Sequence, residues 1–294
     1  MNYYNEIKNK LINNEINKRV KNYSINKSDL DTYYNVGKLL VEAGKHYGEG
    51  IIKEYSHKLT KDLNKKYDTS TLNKMRKFYN LYQKVATVSP NLSYSHYVEL
   101  LPYEDINKID YYIMITEKLN LSVRELREKI KSKEYERLPE ETKYKLIEKE
   151  EIKVQDIIKN PIMIKNPNNI EVITEKTLHK LILEDMPSFL KELGNGFAFI
   201  DSEYKIKIGS VYHYIDLLLF NIEYNCYIVI ELKVTKLKKE YIGQTEIYMN
   251  YIDDTLRKPT QDKTIGIIIC KEDNKFIMKY CSDKRISSKE YELV

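Results

Sequence analysis

The chain has 294 residues, a formal net charge of +5 at pH 7 and an apolar fraction of 42%, which suits one large domain or two ordinary ones. No run approaches the ~18 apolar residues that a membrane helix needs, and the polar start "MNYYNEIKNKLINNEINKR" has no signal-peptide core. Cys226, Cys270 and Cys281 have neither metal-site spacing nor the pattern of a disulfide framework. These features predict a cytoplasmic protein with no membrane partner.

Residues 1–158 are predicted to form an all-helical domain. The stretch "IIKEYSHKLTKDLNKKY" has apolar residues at helical spacing, and "DTSTLNKMRKFYNLYQKV" follows it with Ser70 as the expected N-cap. Further on, Ser122 and Glu125 have the spacing of a capping box at the start of "SVRELREKI". The helices predicted for "IIKEYSHKLTKDLNKKY" and "DTSTLNKMRKFYNLYQKV" are joined by a short turn, as in a helix-turn-helix.

Basic side chains concentrate in residues 51–88, which hold nine Lys or Arg and three Asp or Glu. A clustered excess indicates phosphate binding better than a diffuse one does. Lys74, Arg76, Lys77 and Lys84 lie on or near the second helix, and we predict that they contact the DNA backbone without reading its sequence. A solvated helix face in a lysine-rich chain explains the same pattern equally well.

Residues 159–171, "KNPIMIKNPNNIE", carry two prolines and four asparagines, and we predict that they link two domains. Residues 172–294 then have an α/β pattern. A helix is expected from Thr174 to Gly194, followed by a short strand "GFAFI" and a hairpin that turns at "GS". A buried strand "CYIVIEL", an amphipathic helix "KEYIGQTEIYMNYIDDTL" and a buried strand "TIGIIIC" complete the order. This order predicts a small mixed sheet with helices on its faces.

Acidic residues interrupt two of these apolar strands, Asp216 in "YIDLLLF" and Glu231 in "YIVIELK". Glu231 and Lys233 share one face because strand side chains alternate. If Asp216 pairs close to them, two carboxylates meet and repel each other unless a cation lies between them. Mg²⁺ takes oxygen ligands and could activate a water to attack a phosphodiester, with Lys233 positioning that water. A structural salt-bridge cluster is the alternative interpretation.

The arrangement of Asp216, Glu231 and Lys233 resembles the D…E-x-K motif of the PD-(D/E)XK nuclease superfamily. The hairpin before the motif and the helix after it strengthen this resemblance. Gln244 and Tyr248 share one face of that helix and resemble the Q-x-x-x-Y motif that several branches aim at the active site. A surface glutamine and a core tyrosine are the alternative interpretation.

A closer resemblance is to the YhcG-like nuclease family, over roughly residues 30–280. It is carried in the α/β half by "FLKELGNGFAFI", "YHYIDLLLF", "VIELK", "GQTEIYMNYID" and "IGIIIC". In the helical half it is carried by "YSHKLTKDL", "MRKFYNLY", "LSYSHYVELL" and "LNLSVRELREKI". The resemblance implies an α+β chain of two domains, with a helical N-terminal domain and a restriction-endonuclease-like α/β domain.

The resemblance also implies that the protein is a metal-dependent endonuclease. Its expected substrate is DNA, with RNA less favoured, and its expected role is in restriction or phage defence. The metal ligands are then Asp216, Glu231 and the Leu232 carbonyl around Mg²⁺ or Mn²⁺, with Lys233 assisting the attacking water. Gln244 and Tyr248 shape the site or contact phosphates. Cutting both strands with one site per chain calls for a homodimer.

One residue departs from the family pattern, because His179 stands where the family has a glutamate. Imidazole is a poorer Mg²⁺ ligand than a carboxylate, although it suits Mn²⁺ better. Glu175 lies one helical turn earlier and could substitute as a metal ligand, although a glutamate in a first turn is also favoured by the helix dipole alone. The departure leaves open a second function, that of a catalytically inactive DNA-binding or scaffold subunit of a defence or restriction complex.

Overall fold

The computed structural model describes residues 2–20, 25–85, 89 and 91–294. Its internal contacts divide the chain into two compact units, Met1–Tyr135 and Glu136–Val294. The parts of the helical prediction that fall on residues 21–24, 86–88 and 90 lie outside the described residues. In the described ranges, no helix combines the length and the apolar character needed to cross a bilayer.

The described part of the first unit is helical, as the sequence predicts. Its helices are α1 (Tyr3–Val20), α2 (Ile25–Tyr47), α3 (Ile51–Leu63), α4 (Thr69–Tyr82), α5 (Tyr94–Leu100), α6 (Ile106–Leu119) and α7 (Val123–Lys131). The capping box of Ser122 and Glu125 is present at the start of α7. The expected cap of α4 is wrong, because the Asp68 side chain accepts the Thr71 N–H and Ser70 lies inside the helix.

The second unit combines helices with a sheet. Its elements are α8 (Glu140–Glu148), β1 (Ile162–Ile164), α9 (Glu175–Glu184), α10 (Met186–Leu193), β2 (Phe197–Ile208), β3 (Val211–Asn221), β4 (Cys226–Lys236), α11 (Lys239–Thr255), β5 (Ile265–Glu272), α12 (Lys275–Lys279) and β6 (Ile286–Leu293). Among the described residues the strands form one six-stranded sheet, in the order β1-β6-β5-β4-β3-β2. Strands β2, β3 and β4 pair antiparallel, and β4, β5, β6 and β1 pair parallel. The predicted α+β class with a mixed sheet is confirmed.

Each face of the sheet is covered by helices. Leu217 and Ile230 belong to the core that includes the buried residues of α9 and α10, such as Leu181. Val229 belongs to a second core that includes Met249 of α11. Because both faces are covered, the central strands are apolar on both sides, and the polar residues within them mark a special position.

The helix predicted from Thr174 to Gly194 is two helices. Asp185 ends α9 and caps α10, where its side chain accepts the Ser188 N–H. Pro187 lies in the first turn of α10, where its missing N–H has no cost, whereas inside one continuous helix it would remove a hydrogen bond.

The segment predicted as a linker contains a strand. Ile162 and Ile164 of β1 are buried, and β1 pairs with β6 at the edge of the sheet. The Lys289 ammonium of β6, also buried, donates to the Ile158 carbonyl at 2.8 Å. Burial of these side chains places residues 159–171 within the second unit and not between two units.

Gly37 allows α2 to lie unusually close to α4. A Cβ atom built at Gly37 would lie 2.2 Å from the carbonyl oxygen of Met75 and 2.9 Å from the Cβ of Tyr79. Atoms do not approach to such distances, so a larger residue would force the helices apart. Because α4 buries Leu72 and Phe78 on its packed face, that separation would open a gap in the core of the unit.

Substituting Gly37→Ala is therefore expected to destabilise the first unit by ~1–3 kcal/mol or more, the usual cost of overpacking. This loss would outweigh the ~1 kcal/mol by which alanine favours a helix over glycine. Urea unfolding followed by circular dichroism measures the change. Gly243→Ala in α11 is the control, because a Cβ there meets no atom within 4 Å. An unchanged midpoint for Gly37→Ala would contradict the prediction.

Candidate active site

The candidate site lies where strands β3 and β4 stop pairing. Their antiparallel ladder ends at the pair Leu217 and Ile230, and Asp216 is the next residue of β3. Oδ2 of Asp216 accepts a hydrogen bond of 2.7 Å from the backbone N–H of Leu232 in β4. The Asp216 side chain thus accepts the Leu232 N–H in place of a backbone carbonyl of the neighbouring strand. The bond holds the Asp216 carboxylate against β4.

Lys233 is the centre of a group of carboxylates. Its Nζ lies 3.4 Å from Oε2 of Glu231 and 3.9 Å from Oδ2 of Asp216 and from Oε2 of Glu175. Burial opposes the charge of the ammonium, but the neighbouring Glu231, Asp216 and Glu175 outweigh that effect and raise the pKa of Lys233. One ammonium therefore faces three carboxyl groups, which repel each other at short range.

Glu231 has the least favourable electrostatic surroundings in this group. Its side chain is 1% exposed, and its Oε1 has no hydrogen-bond partner in the described part of the chain. Burial and then the nearby Asp216 raise the pKa of Glu231 to about 8, against the opposing effect of Lys233. A buried polar atom without a partner is costly, and here it is a carboxylate oxygen beside other carboxylates. The donor set is one that a cation would complete.

Helix α9 contributes two residues to the surroundings of Asp216. The helix is capped at Thr174, as predicted, and carries Glu175 and His179 one turn apart on the same side. Nε2 of His179 lies 3.1 Å from the main-chain oxygen of Asp216. Because a carbonyl oxygen only accepts, this nitrogen carries the hydrogen and is occupied by the bond. His179 therefore anchors the backbone of Asp216, and the half-exposed Glu175 is the α9 residue that faces Lys233.

Helix α11 supplies Gln244 and Tyr248. Nε2 of Gln244 donates to the Tyr248 hydroxyl at 2.8 Å. Burial, followed by the negative charges of Glu231 and Asp216, raises the pKa of Tyr248 in spite of the Gln244 bond. The phenol therefore lies within electrostatic reach of the carboxylates. The structure brings Asp216, Glu231 and Lys233 together directly, and it pairs Gln244 with Tyr248.

Two aromatic residues near the site were not predicted. The Tyr241 ring centroid lies 5.4 Å from Nζ of Lys233, within cation–π range, and the Tyr241 hydroxyl lies 3.0 Å from Oγ1 of Thr235. The His213 ring lies 6.1 Å from the ring of Tyr248. Tyr241 precedes Tyr248 by two helical turns, so the same spacing that indicates Gln244 and Tyr248 could have indicated it.

The predicted basic residues of the first unit have different surroundings. Arg76 makes two hydrogen bonds, of 2.6 and 2.7 Å, to the carboxylate of Glu49, so its guanidinium is engaged inside the unit. Lys74 and Lys77 are exposed on α4, and Lys84 is exposed beyond the end of that helix. The solvated-face interpretation thus describes part of the cluster, and contact with DNA stays a prediction for the three lysines.

The predicted metal ligands do not surround one vacant point. In the described ranges, no three His, Cys, Asp or Glu side chains are grouped as a metal site. The Lys233 ammonium lies within 3.9 Å of the carboxyl groups of Glu175, Asp216 and Glu231. Mg²⁺ is commonly held by one or two carboxylates and keeps several waters. The pair Asp216 and Glu231, with an unpartnered Oε1, fits that requirement.

A mixed sheet that parts around an aspartate, with an E-x-K sequence on the next strand and helices on both faces, defines a nuclease domain of the PD-(D/E)XK class. Two family models match the chain, the DUF1016 N-terminal domain over residues 7–137 and the YhcG PDDEXK nuclease domain over residues 155–293. The chain belongs to the YhcG-like nuclease family, which confirms the resemblance found in the sequence.

Similar proteins include a curated relative and solved structures. The chain is 25% identical to "Putative nuclease YhcG" of Escherichia coli (strain K12), over 85% of this chain and 78% of the relative. A repair endonuclease from Pyrococcus abyssi has a TM-score of 0.29 and 17% identity, covering 43% of this chain and 49% of the other. The EndoMS–dsDNA2 complex has the same TM-score and identity, covering 44% and 48%. The chain spans about half the length of these two structures.

Proposed function

We propose that this protein is a metal-dependent endonuclease that hydrolyses phosphodiester bonds in DNA. The observation that carries the proposal is the group of carboxylates around Lys233, in which a buried oxygen of Glu231 has no partner among the described residues. Such a group is costly for folding alone, and strongly perturbed carboxyl groups are typical of functional sites. Membership of a nuclease family identifies the chemistry that this cost would support.

The residues that would hold Mg²⁺ or Mn²⁺ are Asp216 and Glu231, with the Leu232 carbonyl and Glu175 as further predicted ligands. When bound there, the cation would polarise the phosphodiester and lower the pKa of an attacking water. The bond from the Leu232 N–H fixes Asp216 in place before any ligand arrives. The site is in this respect preorganised, which is the usual source of catalytic advantage in such sites.

The other residues act on the substrate directly. The Lys233 ammonium, kept charged by its neighbours, would orient the attacking water and offset the negative charge that grows on the phosphate. The Tyr248 hydroxyl accepts its bond from Gln244, so its own hydrogen can be donated to a phosphate oxygen. Gln244 would hold the phenol in that orientation.

Several finer features belong to the same proposal. DNA is favoured over RNA because of the YhcG-like resemblance, and a homodimer would allow both strands of a duplex to be cut. Exposed Lys74, Lys77 and Lys84 would contribute contacts to the backbone of the DNA. A role in restriction or phage defence is proposed on the same ground, and a cytoplasmic location is proposed from the composition of the sequence.

A second candidate function is a DNA-binding or scaffold subunit without catalysis. His179 favours it, because its Nε2 is occupied by the Asp216 carbonyl and leaves α9 with only the half-exposed Glu175 facing the group. A weakened metal site could then persist as a structural cluster. The two functions differ in one measurable result, which is metal-dependent cleavage.

The test is a cleavage assay with the purified full chain on supercoiled plasmid, single-stranded DNA and RNA. With Mg²⁺ or Mn²⁺ we expect nicked or linear DNA, with RNA cut more slowly, and no products in the presence of EDTA. The rate should fall as salt rises, because phosphate contacts release counterions. DNA binding without cleavage in either metal would support the scaffold function and overturn the nuclease.

A further inference from the structure

The hairpin of β2 and β3 ends in a ribbon, residues 204–214, with an unusual exposed face. Its two-residue turn is Gly209–Ser210, as the sequence predicts, and Gly209 has the positive φ of +62° that such a turn requires. In the ribbon, Lys207 pairs with Tyr212 and Lys205 pairs with Tyr214. Cross-strand neighbours lie side by side on one face, so two lysines and two tyrosines share that face.

The opposite face of the ribbon explains why it is held in place. Ile206 and Ile215 are almost completely buried, in the same core as Met249 of α11. Tyr212 and Tyr214, by contrast, are 51% and 53% exposed. The ribbon is thus fixed to the unit by one side and exposes aromatic rings and ammonium groups on the other.

The charges of this face are of one sign. Residues 204–214 include two lysines and no aspartate or glutamate. Nζ of Lys205 lies 4.0 Å from the ring centroid of Tyr212, and Nζ of Lys207 lies 5.6 Å from it. The Lys205 ammonium therefore lies over one face of the Tyr212 ring, and positive charge together with aromatic rings is the combination that single-strand nucleic-acid sites use.

Protection of a sheet edge explains only half of this pattern. β2 is an edge strand of the sheet, and lysines on edge strands discourage pairing with another chain. Exposed tyrosine rings on the adjacent strand do not have that effect, because aromatic residues favour strand pairing. The tyrosines call for another explanation.

The ribbon also leads to the candidate active site. Tyr212 and Tyr214 lie four and two residues before Asp216 in β3, which corresponds to roughly 13 and 7 Å along a strand. A ligand lying along the ribbon over these two rings would therefore extend towards Asp216.

We propose that the ribbon binds an unpaired stretch of a nucleic-acid strand, with its bases stacked on Tyr212 and Tyr214 and its phosphates beside Lys205 and Lys207. In a duplex the bases stack on each other and offer only their edges in the grooves, so exposed ring faces are suited to bases that are not paired. This inference rests on the proposed function, because it takes the bound strand to be the strand that the nuclease cuts. Under that proposal, the substrate is DNA with a single-stranded portion.

The test is binding of fluorescein-labelled oligothymidylate to the full chain in EDTA, followed by anisotropy. The double variant Tyr212→Ala, Tyr214→Ala is expected to weaken binding by roughly tenfold or more, since base stacking on each ring contributes substantially. Tyr212→Phe with Tyr214→Phe should bind like the unmodified chain, because the rings remain. Lys205→Gln with Lys207→Gln should reduce the slope of log affinity against log salt by about 1.4 for two lost phosphate contacts.

The control is Tyr280→Ala, which removes a 79% exposed tyrosine that also has a lysine near its ring. It should leave binding unchanged.

The proposal would be overturned if the alanine double variant bound oligothymidylate as well as the unmodified chain does. It would also be overturned if that variant lost as much affinity for a duplex of the same sequence. If the lysine variant only self-associates, with unchanged binding per chain, edge protection is the correct role. Since no divalent metal is present, a chain that cannot cleave would still reveal ribbon binding, and the two proposals fail separately.

Discussion

The Asp216→Asn variant is expected to lose cleavage by roughly 10³-fold or more, because it removes several kcal/mol of metal and transition-state stabilisation. The fold should be kept, since an amide oxygen can still accept the Leu232 N–H that Asp216 now accepts. Single-turnover cleavage with Mg²⁺ measures the loss, and thermal unfolding followed by circular dichroism checks the fold.

Two companion variants separate the loss of charge from the loss of structure. Asp216→Ala removes both the charge and the acceptor, so the unpaired Leu232 N–H should also lower stability by ~1–3 kcal/mol. Asp254→Asn removes an exposed charge from α11 and should change neither rate nor stability. If Asp216→Asn cleaves as fast as the unmodified chain, the cluster around Lys233 is structural and the nuclease proposal loses its site.

The central part of the candidate site could be predicted because its signals are local. Asp216 and Glu231 interrupt apolar strands that are connected by a short turn, and the register of the hairpin places both of them just beyond its last pair, Leu217 and Ile230. Lys233 follows from strand alternation alone. The spacing of Gln244 and Tyr248 gives a shared helix face in the same way.

What the sequence does not predict depends on contacts between distant residues. The pairing of Arg76 with Glu49 and the bond from His179 to the Asp216 carbonyl both join elements that are far apart in the chain. Strand β1 is only three residues long and lies between prolines, so its periodicity is too short to recognise. In β6 a buried Lys289 occupies a core position, which makes the strand look polar.

The conflict at Lys233 links the fold to the proposed function. Three carboxylates around one ammonium are a poor arrangement for stability alone, yet the structure keeps them with specific bonds from Leu232 and His179. Proteins that hold such groups for catalysis are less stable than they would be without them. The loss of folding stability can be measured at Glu231.

The metal-free protein is expected to lose stability as pH rises, because of Glu231. The pKa of this carboxyl is raised from 4.5 to about 8 in the folded chain, by burial and by Asp216, so the folded state binds the proton more tightly than the unfolded state. The contribution of Glu231 to the free energy of unfolding is therefore largest below pH 4.5. It falls progressively as pH rises and stops falling above about pH 8.

The Glu231→Gln variant should abolish this decline, since the amide is neutral at every pH. At about pH 9 and without metal, we expect it to be more stable than the unmodified chain by a few kcal/mol, roughly the free energy of the pKa shift, while its cleavage is lost. Mg²⁺ should raise the melting temperature of the unmodified chain, and more so at high pH, because the cation and the proton compete for the same carboxylate. It should not stabilise the variant to the same extent.

Scanning calorimetry of both chains between about pH 5 and pH 9, with and without Mg²⁺, gives these differences directly. Glu240→Gln, at an exposed position of α11, is the matched control and should follow the unmodified chain throughout. A variant that is less stable than the unmodified chain at high pH would show that Glu231 is held by a favourable ion pair with Lys233. In that case the buried carboxylate stabilises the fold, and the argument that its cost is tolerated for the binding of a cation fails.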